Sequence, residues 1–250
     1  HYNSENIMSL PKINTPEYSL VIPSTDEEIT YRPFLVKEEK VLLVAQETGG
    51  EKSIYQAIKN LIKNCCFGKV DVDKLPMFDI EYIFLQIRAK SVGEISSIEV
   101  TCPDDNETKV KVEVDLTTLK VEMDEKHSPR IQLTDDIGLL MQYPNLGDVL
   151  AMGITEEGES SAPTDSVNKM FSMMQDCMYQ IWQGEETFDA MDYSNKEKKD
   201  FLESLNHKQF EKIQEFFDTM PTVKYITEVT NPKTKVKSTV TLEGMNSFFS

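Results

Sequence analysis

Hydrophobic residues recur along this chain with two different periods, and each period predicts one kind of element. The spacing is helical over residues 34–47, 53–65 and 78–89, where apolar side chains return every three or four positions. Gly49 and Gly50 would end the first of these helices, and Ser53 would cap the second. Ahead of them, alternating residues from 18 to 32 predict a hairpin that turns around residues 23–28.

The period changes to two between residues 95 and 121, where valine and isoleucine alternate with polar residues. This pattern predicts a β-hairpin over 95–121 with its turn at 103–107. Residues 130–140 offer another strand with a turn at Asp135-Asp136. Helical spacing then resumes over residues 146–152, 167–182, 197–205 and 208–220.

A second hairpin near the end of the chain resembles the first around its turn. Residues 100–103 and 108–111 read VTCP and TKVK, and residues 229–232 and 234–237 read VTNP and TKVK, with a second turn three residues shorter in this alignment. The similarity indicates either a partial structural repeat or a chance likeness between short β-rich segments. The predicted fold class is α+β, with helical layers, two β-hairpin regions and an extended N-terminal arm.

The polar composition of residues 154–166 predicts a flexible loop, because its Glu, Ser and Gly residues cannot bury enough apolar surface to order it. We take this loop as the boundary between an N-terminal α+β region (8–153), which holds the hairpin at 95–121, and a C-terminal helical region (167–250), which ends in the second hairpin. Residues 1–7 precede Met8, and we expect them to be an expression remnant or an upstream extension.

Acidic residues dominate the charge of the chain. The 43 Asp and Glu against 26 Lys and Arg give a formal net charge of −17, which argues against binding to nucleic acid or anionic lipid, because phosphate contacts need clustered cations. No apolar stretch approaches the ~20 residues needed to cross a bilayer. The four cysteines, Cys65, Cys66, Cys102 and Cys177, form no Cys-x-x-Cys pair, and we expect reduced thiols in a cytoplasm.

A tightly specified joint lies between the arm and the first helix. Pro33 fixes its own φ and biases Arg32 toward extended geometry, while two glutamates fall in the first helical turn. Residues 32–40 (RPFLVKEEK), after the opening 10–13 (LPKI), resemble the start of the baseplate hub proteins of T4-like contractile-tailed phages. Three later segments are similar to the same family: 88–94 (RAKSVGE), 131–138 (IQLTDDIG) and 242–249 (LEGMNSFF).

The family resemblance implies turns similar to the knuckles of a zinc ribbon at the two hairpins. Paired cysteines hold the metal in such a knuckle, but here Cys102-Pro103 is followed by Asp105 where a second thiolate would stand. The second turn, residues 231–234, reads NPKT and has no thiolate. Tetrahedral structural zinc needs four nitrogen or sulfur ligands. We therefore expect no metal site, and we expect the hairpins to be stabilised by packing on the helices.

The sequence has none of the common catalytic motifs: no nucleophile elbow, paired-histidine zinc motif, phosphate loop or dinucleotide fingerprint. His127 and His207 are expected to face solvent or to cap helices. Carboxylates are numerous enough that two could meet in a cleft, so a cell-wall hydrolase stays an alternative. The prediction is a protein with no catalytic residue, no cofactor, no metal and no small-molecule substrate.

Candidate docking residues fall in three places. The joint supplies Arg32, Pro33 and Phe34, the helix over 167–182 supplies Met170, Met173 and Met174, and the tail supplies Phe248 and Phe249. Methionine adapts to exchangeable partners, although a helix buried on several sides would show the same pattern. The aromatic tail could dock on this protein or on a neighbour.

The resemblance implies a noncatalytic baseplate hub component or hub assembly factor that binds other hub and tail proteins, with no nucleic acid or membrane partner. It would act in the cytoplasm of the infected bacterium during assembly and could remain in the baseplate of the virion tail. An alternative is a transient tail assembly chaperone that is absent from the mature particle.

Overall fold

The computed structural model describes residues 9–148 and 163–248. Its helices are α1 (Val36–Thr48), α2 (Glu51–Cys65), α3 (Met77–Ser91), α4 (Pro163–Cys177), α5 (Asn195–Glu203) and α6 (His207–Asp218). Its strands are β1 (Tyr18–Val21), β2 (Glu28–Tyr31), β3 (Ile95–Thr101), β4 (Lys109–Asp115), β5 (Lys120–Glu122), β6 (Arg130–Gln132), β7 (Ile137–Met141), β8 (Met178–Gln183), β9 (Glu186–Asp189), β10 (Thr222–Thr230) and β11 (Lys237–Glu243). The fold is α+β, as the periodicity predicts.

All strand pairing in the described residues is antiparallel. β1 pairs with β2, and β3 pairs with β4. A larger sheet has the order β6-β7-β8-β9, and the remaining sheet has the order β11-β10-β5. In that last sheet Val223 lies opposite Val121, so the closing hairpin returns to the N-terminal part of the chain.

The buried side chains form two clusters. The first contains the predicted core face of α3, where Ile80, Ile83, Phe84 and Ile87 are at most 1% exposed, and it extends over α2, the hairpin β3–β4 and the closing hairpin β10–β11. The second lies between α4, α6 and the sheet β6-β7-β8-β9, and includes Leu139, Cys177, Ile213 and Phe216. The division of the chain at residues 154–166 stays a prediction.

An aromatic stack runs between the two clusters. Phe78 of α3 meets Tyr143 edge to face, with ring centroids 5.2 Å apart. Tyr143 stacks in turn on Phe216 at 5.6 Å and on His127 at 5.6 Å. The ring nitrogens of His127 lie 2.9 Å from Thr219 Oγ1 and 2.8 Å from Tyr143 Oη. The expectation that His127 faces solvent or caps a helix was therefore wrong: it is half-buried, and burial lowers its pKa.

The predicted helix over residues 167–182 ends earlier than expected. α4 stops at Cys177, and Met178–Gln183 forms the central strand β8. Ile181 lies opposite Leu139 of β7 and opposite Phe188 of β9, so partners on both sides favour a strand for these aromatic and branched residues. Strand β9 was missed. Residues 163–166, expected in a loop, belong to α4, and the rest of that loop lies outside the described residues.

Three smaller predictions also changed. Ser53 lies inside α2, whose N-cap is Gly50, because only Gly49 and Gly50 separate the end of α1 at Thr48 from the start of α2 at Glu51. Residues 130–140 form two strands, β6 and β7, around the predicted turn. Residues 146–148 are helical, and the remainder of the predicted helix over 146–152 lies outside the described part. Within residues 9–148 and 163–248, no helix combines the length and apolar character needed to cross a membrane.

Gly138 is required by the packing of Trp182 on β7. These two residues lie opposite each other in the β7–β8 pair, and a Cβ added to Gly138 would lie 1.7 Å from Trp182 Cζ2. The guanidinium of Arg130 covers the Trp182 ring at 4.0 Å, so the indole cannot move away freely.

We predict that Gly138→Ala lowers the free energy of unfolding by about 2 kcal/mol or more, because the added methyl group overpacks the sheet. Chemical denaturation monitored by Trp182 fluorescence measures the change. The matched control is Gly147→Ala, whose Cβ would come no closer than 3.3 Å to another atom. Equal stability of the two variants would contradict the close packing of Trp182 on Gly138.

Candidate functional site

The predicted joint between β2 and α1 is built around a buried ion pair. Arg32 Nη2 contacts Glu38 Oε1, and the two side chains are 11% and 3% exposed. Arg32 Nη1 also donates to the Pro33 carbonyl at 2.9 Å. Glu38 Oε2 accepts the Leu35 amide at 2.8 Å and so caps α1. Burial would raise the pKa of Glu38, but the hydrogen bonds from Arg32 and Leu35 outweigh it and leave the pKa lowered.

The same joint connects the hairpin β1–β2 to the helices. The Arg32 amide donates to the Cys65 carbonyl at the end of α2, at 2.9 Å. The Phe34 amide donates to Ser91 Oγ at the end of α3, at 2.9 Å. Arg32 and Pro33 are buried and Phe34 is half-buried. These three candidate docking residues therefore make internal contacts that position α1.

The tips of the two hairpins meet, and we call this contact the hairpin clasp: residues 102–108 with residues 231–236. Asn231 is fully buried, and its Nδ2 donates to Asp105 Oδ2 at 2.8 Å and to Asp104 Oδ1 at 3.1 Å. Thr234 Oγ1 donates to Asp104 Oδ2 at 2.7 Å. The clasp thus joins two turns that are far apart in the sequence.

The two turns of the clasp share a backbone hydrogen bond of the same spacing. The Asn106 amide donates to the Cys102 carbonyl at 2.9 Å, and the Lys235 amide donates to the Asn231 carbonyl at 2.8 Å. Asn106 and Lys235 both have positive φ, 53° and 65°. These matches support the structural repeat. The strand registers, Thr101 with Lys109 and Thr230 with Lys237, make the second turn one residue shorter rather than three, so the sequence alignment of the second strands was shifted.

Of the positions where zinc-ribbon knuckles would carry ligands, Asp105 and Asn231 are in contact, and Thr234 contacts the neighbouring Asp104. Hydrogen bonds from Thr108, Glu107 and Asn231 hold the pKa of Asp105 well below its usual range, so the carboxylate is charged and acts as an acceptor. Cys102 is fully buried, and burial raises its pKa. Among the described residues, no three His, Cys, Asp or Glu side chains form a metal-binding group. The donor set of the clasp fits hydrogen bonding better than zinc.

Methionines of α4 line an open groove beside α6, which we call the methionine groove. Its volume is about 550 Å³, and it is lined by Lys169, Met170, Met173, Met174, Gln214, Phe217 and Asp218. Met174 is buried in the second cluster, whereas Met170 is 37% exposed. The two interpretations of this helix, a buried helix and a binding surface, are therefore each correct in part. One side of the helix is in the core, and the adjacent side is an accessible apolar surface.

The aromatic tail is folded onto this chain. Phe248 is fully buried within the first cluster. Of the two alternatives, docking on this protein or on a neighbour, the structure has the first. Phe249 lies outside the described residues. The contact that the sequence analysis missed altogether is the hairpin clasp, and its one signal was the repeated Pro-containing turn at residues 102–105 and 231–234.

Comparison with known proteins identifies the family. A family model described as T4 bacteriophage base plate protein matches residues 15–250. The chain belongs to this family. No curated protein and no solved structure matches it. The resemblance read from the four sequence segments is therefore confirmed at the level of a phage baseplate protein.

We predict that Glu38→Gln destabilises this baseplate protein by about 3 kcal/mol, because it leaves the Arg32 guanidinium buried without a charged partner. Glu39→Gln, one position along in the same helical turn and exposed, is the matched control and should change stability little. Since the folded-state pKa of Glu38 is lowered, its contribution is present above the unfolded pKa of about 4.3 and is lost as the pH falls. Between pH 7 and pH 3, the free energy of unfolding should therefore fall less steeply for Glu38→Gln than for the wild type.

We predict that Asn231→Ala lowers the free energy of unfolding by about 2 kcal/mol, because it removes the amide donor that Asp104 and Asp105 share. Thr234→Val removes one clasp hydrogen bond and should cost less. Thermal unfolding measures both, and a chelator should leave the melting temperature of the wild type unchanged. A lower melting temperature after chelation, or wild-type stability of Asn231→Ala, would contradict the hydrogen-bonded clasp.

Proposed function

We propose that this baseplate protein is a noncatalytic hub component or hub assembly factor that acts by binding other phage tail proteins. The observation that carries the proposal is the methionine groove. It offers a concave apolar surface next to charged Lys169 and Asp218, a combination suited to a protein partner with an apolar anchor and a polar rim. Flexible Met170 and Met173 can adjust to the shape of such an anchor.

The chemistry of the described side chains supports a role without catalysis. Burial raises the pKa of the Cys65 and Cys177 thiols to about 12, so neither is a ready nucleophile. Both ring nitrogens of His127 lie within hydrogen-bonding distance of neighbouring hydroxyls. A substrate turnover that a point mutation abolishes would contradict this part of the proposal and favour the hydrolase alternative.

The protein would bind its partners in the cytoplasm of the infected bacterium and would enter the baseplate there. The net charge of −17 supports a protein partner rather than nucleic acid, because phosphate contacts would add repulsion. The structural and chaperone roles would use the same groove. They differ in whether the protein stays.

Quantitative mass spectrometry of purified mature particles and of hub intermediates from infected cells distinguishes the two roles. A fixed copy number in mature particles is the outcome expected for a hub component. Enrichment in intermediates with loss from the finished particle would identify an assembly chaperone. Absence from both would contradict the proposed function.

We predict that a photo-crosslinking amino acid at position 170 forms crosslinks to phage tail proteins during infection, because this position lies on the groove surface. The matched control is position 191, where Met191 is 90% exposed and is not among the residues that line the methionine groove. Met170→Glu should weaken recovery of the crosslinked partner at least about tenfold, as expected for a charge placed in an apolar contact. Equal crosslinking from positions 170 and 191 would contradict a specific groove.

A further inference from the structure

A second cavity adjoins the methionine groove, and we call it the acidic cleft. Its volume is about 390 Å³, and it lies between the start of α3, the end of β5 and the segment that leads from α6 to β10. Its floor is apolar, with the buried Phe78 and the half-buried Tyr143 and Met220. Phe217 and Asp218 line both cavities. The groove and the cleft therefore meet at the last turn of α6.

The rim of the cleft is negatively charged. Glu122, Asp124 and Asp218 line it and are exposed. The groove and the cleft together are lined by five acidic residues and two lysines: Glu81, Glu122, Asp124, Asp218 and Glu243, with Lys169 and Lys224. One of the lysines is already paired, since Lys224 Nζ lies 3.1 Å from Glu243 Oε1. A partner that covers this surface should therefore be positively charged where it meets the rim.

The shape and lining of the cleft fit a long basic side chain. A metal ion fits poorly, because within the described part of the chain no three His, Cys, Asp or Glu side chains form a group that could hold one. The aliphatic stem of a lysine or arginine can pack on an apolar floor while its charged end stays at a negative rim. The rings of Tyr143 and Phe217, which line the cleft, would attract such a cation further.

We propose that one segment of a partner tail protein covers both cavities, with an apolar residue in the methionine groove and a nearby lysine or arginine in the acidic cleft. This inference rests on the proposed function, because it names the chemistry of the partner that the same surface binds. The lining that the two cavities share at Phe217 and Asp218 supports one continuous segment. The charge of the rim supplies selectivity among apolar segments, because a segment with a carboxylate at this point is repelled.

Photo-crosslinking from two positions during infection, with mass spectrometry of the crosslinked peptides, tests the proposal. Position 170 lies on the groove, and position 123, where Met123 is 60% exposed, lies on the cleft. Both positions should capture the same tail protein through neighbouring parts of its sequence, and the part captured at position 123 should contain lysine or arginine. If position 170 captures a tail protein but position 123 captures nothing, another protein or a segment without a basic residue, the inference fails and the proposed function stands. No crosslink from either position would contradict both.

Charge variants of the full chain test the role of the rim in binding to the captured tail protein. Glu122→Gln with Asp124→Asn removes two rim charges, and the asparagine keeps a side-chain oxygen for the Lys126 amide, which Asp124 accepts at 2.9 Å. This cleft variant should bind about fivefold more weakly or worse at low salt, and the difference should shrink at high salt. The matched control, Glu185→Gln with Glu186→Gln, changes the net charge equally at two exposed positions that line neither cavity, and it should bind as the wild type does. Equal weakening of the two variants, or wild-type binding by the cleft variant, would overturn the proposal.

Discussion

The pairing of β10 with β5 is the contact on which the arrangement of the whole chain depends. It places Val223 opposite Val121 and brings the closing hairpin onto the first hydrophobic cluster. There Val223, Leu242 and Phe248 become buried, and each such side chain contributes about 1.5–3 kcal/mol. Because β5 and β10 are paired, the segment between them must leave the first cluster and return to it at neighbouring points. The second cluster of buried residues lies in this segment. It is therefore connected to the first cluster by the two neighbouring chain segments at β5 and β10 and by the aromatic stack at Tyr143.

The hairpin clasp holds the other end of the closing hairpin β10–β11 against the N-terminal part of the chain. In a metal-held pair of knuckles, a cation would supply the attraction between the two turns. Here the Asn231 amide supplies donors and the Asp104 and Asp105 carboxylates supply acceptors. A charged acceptor makes these hydrogen bonds stronger than neutral ones, and burial of Asn231 protects them from water. Hydrogen bonds of this kind are directional, so the clasp requires both its donors and its acceptors to be present.

Periodicity predicted the elements whose stabilising contacts are local or repeat along one face. The core face of α3 and the hairpin β3–β4 follow directly from the spacing of isoleucine and valine. Strand β8 was missed because Met178–Gln183 continues a helical-looking run from α4, and only the pairing partners on both sides decide in favour of a strand. These partners, β7 and β9, lie elsewhere in the sequence. The same limitation applies to the clasp. The two turns were recognisable in the sequence, but their contact depends on the tertiary structure.

The sequence was least informative about which apolar residues remain accessible. On α4 the buried Met174 and the exposed Met170 are indistinguishable by residue type, and the same holds for Leu42 and Leu43 on α1. In both helices one face is fixed in a core, so the adjacent apolar side chains are held in place before any partner arrives. The net charge of −17 opposes nonspecific association between copies of the chain. Binding of a protein partner would use apolar contact area of this kind, held on rigid elements before the partner arrives.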